Sequence, residues 1–385
     1  VKYVDEFRDP GKARILLEGI AKLSGSIHPG RQGPVKIMEV CGGHTHSIFH
    51  YGIDRMLPDW LELVHGPGCP VCVLPRSQVD DCVALAEREE VIFTTFGDAM
   101  RVPGSEKSLL QAKAEGADVR MVYSPMDSLK IARENPHREV VFFGLGFETT
   151  MPSTALTVLR AEQEKIENFS LFCNHITIIP TIRALLDMPG LRLDGFLGPG
   201  HVSMVIGISA YDFIAERYHK PVVVSGFEPL DILQSLWMVL LQLAEGRCEV
   251  ENQYKRVVRH DTGRPLEFVN KVFEPREFFE WRGLGSIEHS GVRLRERYAG
   301  FDAERKFPLP SLKIVDPDAC QCGEVLTGVL KPYKCRLFGT RCTPQSPMGA
   351  LMVSSEGACA AYYRYRHVSS PQTAGPAPAV APGAG

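Results

Sequence analysis

Val140-Val-Phe-Phe-Gly-Leu-Gly-Phe-Glu-Thr-Thr150 reads as a buried strand, a glycine-bearing exit and the start of a helix. Residues 140–144 form a continuous apolar run, the pattern of a strand covered on both faces. Gly146 to Thr150 lead into a helix over 152–165, and 169–173 is the next strand. A strand, a crossover helix and a second strand predict a parallel sheet.

The same alternation extends in both directions. Upstream, helices over 11–24, 77–89 and 106–115 alternate with strands at 35–40, 61–64, 91–96 and 118–123, and a further helix covers 126–134. Downstream, strands at 194–197 and 222–225 alternate with helices over 179–188, 209–217 and 229–245. The reading is an α/β protein with two parallel-sheet units, 1–125 and 126–246, divided by a break near 124–140. Residues 250–310 are charged and show few clear strands. Residues 247–367 form a third unit, and the Ala-, Pro- and Gly-rich segment 368–385 is expected to be disordered. Ligands of such sheets bind outside the carboxyl ends of the strands, where the unusual loops fall.

The chain has 385 residues, 44% hydrophobic, with a formal charge of −3 and a pI of about 6.5. That balance argues against a nucleic-acid partner. No run of 18 apolar residues suggests a membrane span, and acids near Val1 argue against a signal peptide. A cytoplasmic setting is expected, in which eleven cysteines point to ligation or redox chemistry before disulfide staples. Cys82, Cys173 and Cys248 are expected to be ordinary packing residues.

Five cysteines fall in the last quarter: Cys320, Cys322, Cys335, Cys342 and Cys359. From Cys320 onward the main four are separated by 14, 6 and 16 residues. Structural zinc normally uses closely paired knuckles. The wide spacing favours a four-thiolate [4Fe–4S] cluster, with zinc or plain packing as alternatives. Cys320 and Cys322 compete for one place.

A second group lies upstream. Cys41 sits at a strand end in Cys-Gly-Gly-His44-Thr-His46, where a nearby imidazole can tune a thiol. It reads as a nucleophile or metal ligand, against a plain glycine turn. His46 and His50 fit a surface or core role equally. Cys69-Pro-Val-Cys72 holds two thiols close enough for a reversible disulfide, or for a share in a zinc site. Asp98, Arg101, Glu148, His201 and Glu356 sit in loops suited to a site, each with a bland alternative such as a helix cap. No Gly-x4-Gly-Lys-Ser/Thr loop is present.

Five motifs in order resemble the HypD family of [NiFe]-hydrogenase maturation factors. They are Cys41-Gly-Gly-His-Thr-His46, Gly66-Pro-Gly-Cys-Pro-Val-Cys72, Phe96-Gly-Asp-Ala-Met-Arg-Val-Pro-Gly-Ser105, Phe143-Gly-Leu-Gly-Phe-Glu-Thr-Thr150 and Met352-Val-Ser-Ser-Glu-Gly-Ala-Cys359. The resemblance covers about residues 10–367. It implies two α/β domains plus a C-terminal iron–sulfur domain, and a scaffold on which the Fe(CN)2CO group is assembled. It also implies a HypC-type chaperone that shares the iron and a HypE-type cyanide donor. Carried over, Cys41 holds Fe(II) bearing CN and CO, and His44 supports it. Cys69 and Cys72 form the redox pair, with Cys72 also near the iron. Cys320, Cys335, Cys342 and Cys359 hold the [4Fe–4S] cluster, leaving Cys322 beside it. Relatives in this pattern carry a further cysteine where this chain has Leu351. A monomer working with small partners is expected, and a cluster-dependent protein disulfide reductase is the rival reading.

Overall fold

The computed structural model describes residues 4–27, 31–258, 263–310 and 319–366. The segment 368–385, expected to be disordered, lies outside the described residues. The protein is α/β with two parallel sheets. The first is ordered β2-β1-β7-β8-β9 and the second β4-β3-β5-β6. Strands β1 (Val35–Glu39), β2 (Leu61–His65), β7 (Gly195–Pro199), β8 (Val222–Ser225) and β9 (Val250–Asn252) build the first sheet. Strands β3 (Val91–Thr95), β4 (Val119–Met121), β5 (Glu139–Gly146) and β6 (Phe169–His175) build the second.

Sheet membership therefore does not follow the expected division at 125/126. The chain starts one sheet, leaves to complete the other, and returns at β7. Pairing explains the difference: β1 accepts β2 on one side and β7 on the other, while β5 pairs with β3 and β6. The composition change near 124–140 is only the crossover from β4 to β5, made by the helix Pro125–Glu134.

Both sheets are wound outward from their middle. The connection after β1 goes to β2 and that after β7 to β8, on opposite sides; likewise β3 goes to β4 and β5 to β6. Each sheet thus has a switch point, between β1 and β7 and between β3 and β5, where diverging loops leave a crevice at the strands' carboxyl ends.

The charged region after β9 hides two short antiparallel pairs. Strand β10 (Phe273–Pro275) pairs with β13 (Val292–Leu294), and β11 (Phe278–Trp281) with β12 (Gly285–Glu288). Phe279 and Trp281 are buried while Phe278 is exposed, the period-two alternation of a one-sided strand. Its brevity and charged neighbours conceal it in the sequence. The Trp281 indole N–H donates to Ser290 Oγ at 2.7 Å, and the Arg282 amide to the Val73 carbonyl at 2.8 Å. This second bond ties the hairpin to the loop carrying Cys69 and Cys72.

One apolar core joins the parts. It runs from Met38, Val40 and Val64 of the first sheet to Phe93, Phe143 and Phe172 of the second, and into Cys322, Leu351 and Val353 of the C-terminal segment. Among the described residues no helix is long and apolar enough to cross a membrane.

Candidate metal and thiol centre

The first switch point carries the upstream motif. β1 ends at Glu39, and Cys41 caps a helix running from Gly42 to His50. The glycines after Cys41, for which a plain turn was the alternative reading, are thus the first turn of a helix. Gly43 and His44 point their amides at the Cys41 sulfur, as helix-start amides do for an anion. Two glycines are needed because the turn is crowded. A Cβ on Gly42 would lie 2.7 Å from Glu356 Oε2 and 3.1 Å from Cys69 Cβ, and one on Gly43 would lie 3.0 Å from the Phe227 ring. Gly68 is tighter still: a Cβ there would come within 2.2 Å of the Cys41 nitrogen. That close approach lets the Gly42 amide donate to the Gly68 carbonyl at 3.0 Å, bringing the Cys69 loop against Cys41.

Beneath this turn sits a residue the sequence reading missed. Glu39 is fully buried. Its carboxylate accepts from the Cys41 amide at 2.9 Å, from the Thr45 hydroxyl, and from His65 Nδ1 at 2.8 Å. An acid closing an otherwise buried strand, facing a histidine at the end of the next, was the available signal. A buried carboxylate with three donors orders the loop and lends negative charge to its floor.

His44 is buried, and its Nε2–H faces the carbonyls of Ser225 (3.2 Å) and Gly226 (3.0 Å). Both are acceptors, so this nitrogen carries the proton. Nδ1 is buried with no partner among the described residues. Burial lowers the His44 pKa, keeping the ring neutral. One nitrogen locked to backbone and the other bearing a lone pair is the arrangement of a supported metal ligand. Phe227 stacks on His44 at 4.8 Å and on His201 at 3.9 Å, so the loop after β8, packed on the helix start after β7, closes this side.

Cys69 and Cys72 are buried, their sulfurs 2.7 Å apart as a dithiol. The Cys72 thiol pKa is pushed up by burial first, then by Cys69, Glu356 and Cys359. Cys41 is likewise raised by burial and by Glu356 and Glu39. Thiols held protonated by burial and then by neighbouring negative groups lose the proton when a cation binds them. Glu356 is exposed as a residue, yet its carboxylate lies over Gly42, and its pKa is raised by burial, Asp98 and Glu39.

The C-terminal segment links this centre to the second cysteine group. A Cβ on Gly357 would lie 2.9 Å from Cys72 Sγ, two residues before Cys359. Cys320, Cys322, Cys335, Cys342 and Cys359 line one cavity, with Leu337, Phe338, Leu351 and Met352 among its apolar walls. The Cys359 thiol is raised by burial and then by Cys342, Cys320 and Cys335. Cys342 Sγ accepts the Met348 amide at 3.4 Å. A Cβ on Gly349 would sit 2.5 Å from Cys320 Sγ. This all-thiol, apolar, amide-lined donor set suits an iron–sulfur cluster. Among the described residues no three His, Cys, Asp or Glu side chains meet the spacing of a single-ion site. Cys322 is buried on the same cavity as Leu351, and against the Gly283 turn. Cys82 and Cys173 are core residues, and Cys248 donates to the His219 carbonyl at 3.1 Å.

The second switch point is different. Asp98 and Arg101 follow β3 and hold the C-terminal segment: Ser354 Oγ donates to Asp98 at 3.3 Å, and Arg101 donates to the Val353 carbonyl. Glu148 follows β5 and is buried. Its Oε1 accepts the Ile178 amide at 2.9 Å, and its Oε2 has no partner among the described residues. Burial raises its pKa to about 7.

Comparison with known proteins agrees with the motif reading. The family described as "HypD: Hydrogenase formation hypA family" matches residues 13–366. The chain is 60% identical to the hydrogenase maturation factor HypD of Rhodobacter capsulatus, over 95% of this chain and 98% of that protein. It is 55% identical to the Escherichia coli (strain K12) hydrogenase maturation factor HypD, over 96% and 100%. It is 50% identical to the hydrogenase expression/formation protein HupD of Azotobacter chroococcum, over 95% and 97%. The five motifs, the meeting of four of them around Cys41 and the segment leading to Cys359, and this full-length similarity lead to one statement: the chain belongs to the HypD family of hydrogenase maturation factors.

Proposed function

We propose that the protein is the scaffold on which the Fe(CN)2CO group of [NiFe]-hydrogenase is put together. A HypC-type chaperone shares the iron and a HypE-type partner donates cyanide. The supporting observation is the meeting of Cys41, the Cys69/Cys72 dithiol, Glu356 and the backbone leading to Cys359 in one crevice.

Iron(II) is cargo here. Cys41 holds it, with His44 Nδ1 beside it and Cys72 near it. Soft thiolate and imidazole suit an iron that must take strong-field ligands. Cyanide from a thiocyanate-type donor is released by reduction: RSCN + 2e− + H+ gives RSH and CN−. Oxidation of Cys69 and Cys72 to a disulfide supplies the two electrons and two protons. One proton goes to the leaving thiolate and the other departs as cyanide binds iron. The S–CN bond breaks and one S–S bond forms. Cys320, Cys335, Cys342 and Cys359 would hold a [4Fe–4S] cluster, which would relay two electrons one at a time from an external one-electron donor to the Cys69–Cys72 disulfide, with two protons from solvent, to restore the dithiol.

A disulfide reductase would need the cluster and the dithiol but not the Cys41–His44 turn, so the crowded construction of that turn favours the scaffold. Incubating the reduced protein anaerobically with a thiocyanate-bearing donor peptide tests the chemistry. Alkylation and mass spectrometry should show Cys69 and Cys72 converted to a disulfide in step with cyanide release. Cyanide release with both thiols still alkylated would overturn this assignment.

A further inference from the structure

The Gly42–His50 helix carries two histidines that the reactions above do not use. His46 and His50 are four residues apart, so they share one face. Their rings lie 5.6 Å apart and within 10° of parallel. Tyr365 packs edge-on to both, at 5.6 and 5.3 Å, holding the pair in place. His46 is half-buried and His50 exposed. The ring of His46 lies against the Ser355 carbonyl, and its Nδ1 is buried without a partner among the described residues. A backbone carbonyl on one nitrogen and an open lone pair on the other is how proteins orient a ligating imidazole.

We propose that His46 and His50 capture a divalent transition-metal ion at the surface and pass it inward to Cys41. In the scaffold reading, on which this role rests, the ion is the incoming iron(II). Two imidazoles at this spacing form a bidentate site for iron, cobalt, nickel or zinc, with water completing the shell. A turn of the exposed His50 side chain brings its nitrogen to the ion. The next residue after Ser355 is Glu356, whose carboxylate lies over Gly42 beside Cys41. Ligating groups thus lie along one line of contacts that ends at the buried thiol: His50, His46, Glu356, Cys41. Arg364 lies near enough to oppose a cation at His46. The site therefore binds weakly and exchanges, which suits hand-over better than storage.

Cobalt(II) is the probe, added anaerobically to the cluster-loaded full-length Cys41→Ser protein. A bound ion with weak d–d absorption and no thiolate-to-cobalt charge-transfer band is expected, and adding His50→Ala should abolish it. Equal binding with and without His50→Ala would overturn the site, as would no binding in Cys41→Ser. For the role, the yield of Fe–CN and Fe–CO infrared bands is followed against iron(II) supplied. His50→Ala should need more iron for half-maximal yield and reach the wild-type yield at excess iron. An unchanged iron dependence would overturn the capture role. Absence of bands in the wild type at any iron level would instead overturn the scaffold reading, leaving the cobalt result to judge the site.

Discussion

The two parallel sheets are wound alike, yet their switch points are built for different work. At the first, every approach is tight: Gly68 presses on the backbone of Cys41, Gly42 on Glu356 and Cys69, Gly43 on Phe227. Sulfur and imidazole are fixed by backbone amides and carbonyls. At the second, the loop after β3 holds the C-terminal segment through Arg101 and Asp98. The loop after β5 leaves one oxygen of Glu148 without a partner among the described residues. The same topology thus supplies a rigid, crowded floor around Cys41 in one sheet and a bracket for the thiol-bearing segment in the other. A crevice at a switch point is offered by the fold; the side chains and their crowding decide what it does.

Glycine substitution separates the two most sharply. Gly68→Ala would drive a methyl into the Val40–Cys41 backbone, which cannot swing aside. It should cost about 3 kcal/mol or more in urea unfolding and scatter the thiols. Gly97→Ala, after β3, would meet only the flexible end of Met121, and should cost less than about 1 kcal/mol. Similar losses at both positions would break the contrast.

The second effect concerns charge. Glu148 has a folded-state pKa raised to about 7 by burial, against an ordinary value near 4.3. Between those values the native state binds more protons than the unfolded chain, so stability falls as pH rises through this window. Glu148→Gln keeps the oxygen that accepts from Ile178 and removes the titration. Relative to wild type it should gain on the order of 2–3 kcal/mol at pH 8 and almost nothing at pH 4. Thermal unfolding at the two pH values checks this, and a gain independent of pH would count against the buried-acid reading.

The smallest effect is at the bracket. Asp98→Ala removes one long hydrogen bond from Ser354, and should lower stability by about 0.5–1.5 kcal/mol. A loss of several kcal/mol would mean that Asp98 bears on the floor around Cys41 as well.

Much of this was legible in the sequence, for identifiable reasons. Buried parallel strands are apolar throughout, so β1, β3, β5, β6 and β8 stood out, and the loops after them carried the odd residues. Sheet membership was not legible, because pairing of β1 with β7 depends on a contact some 150 residues away in sequence, which local pattern does not encode. The hairpin strands β11 and β12 were hidden by their four-residue lengths. Cys41, Cys69 and Cys72 could be read from motif chemistry. Glu39 and His65 left only a faint signal, a polar residue ending each of two neighbouring strands, until the 2.8 Å bond between them shows a shared floor. His44 could be named, but the orphaned Nδ1 that makes it a ligand candidate follows from the carbonyls of Ser225 and Gly226, far along the chain.

Infrared spectroscopy on anaerobically purified protein, co-expressed with the proposed HypC-type and HypE-type partners, reports iron-bound diatomic ligands directly. Wild type should show CN and CO stretching bands, and Cys41→Ala should lose them while keeping the broad absorbance near 400 nm of an iron–sulfur cluster. Full-strength CN and CO bands in Cys41→Ala would contradict the assignment of the first switch point as the place where the iron is held.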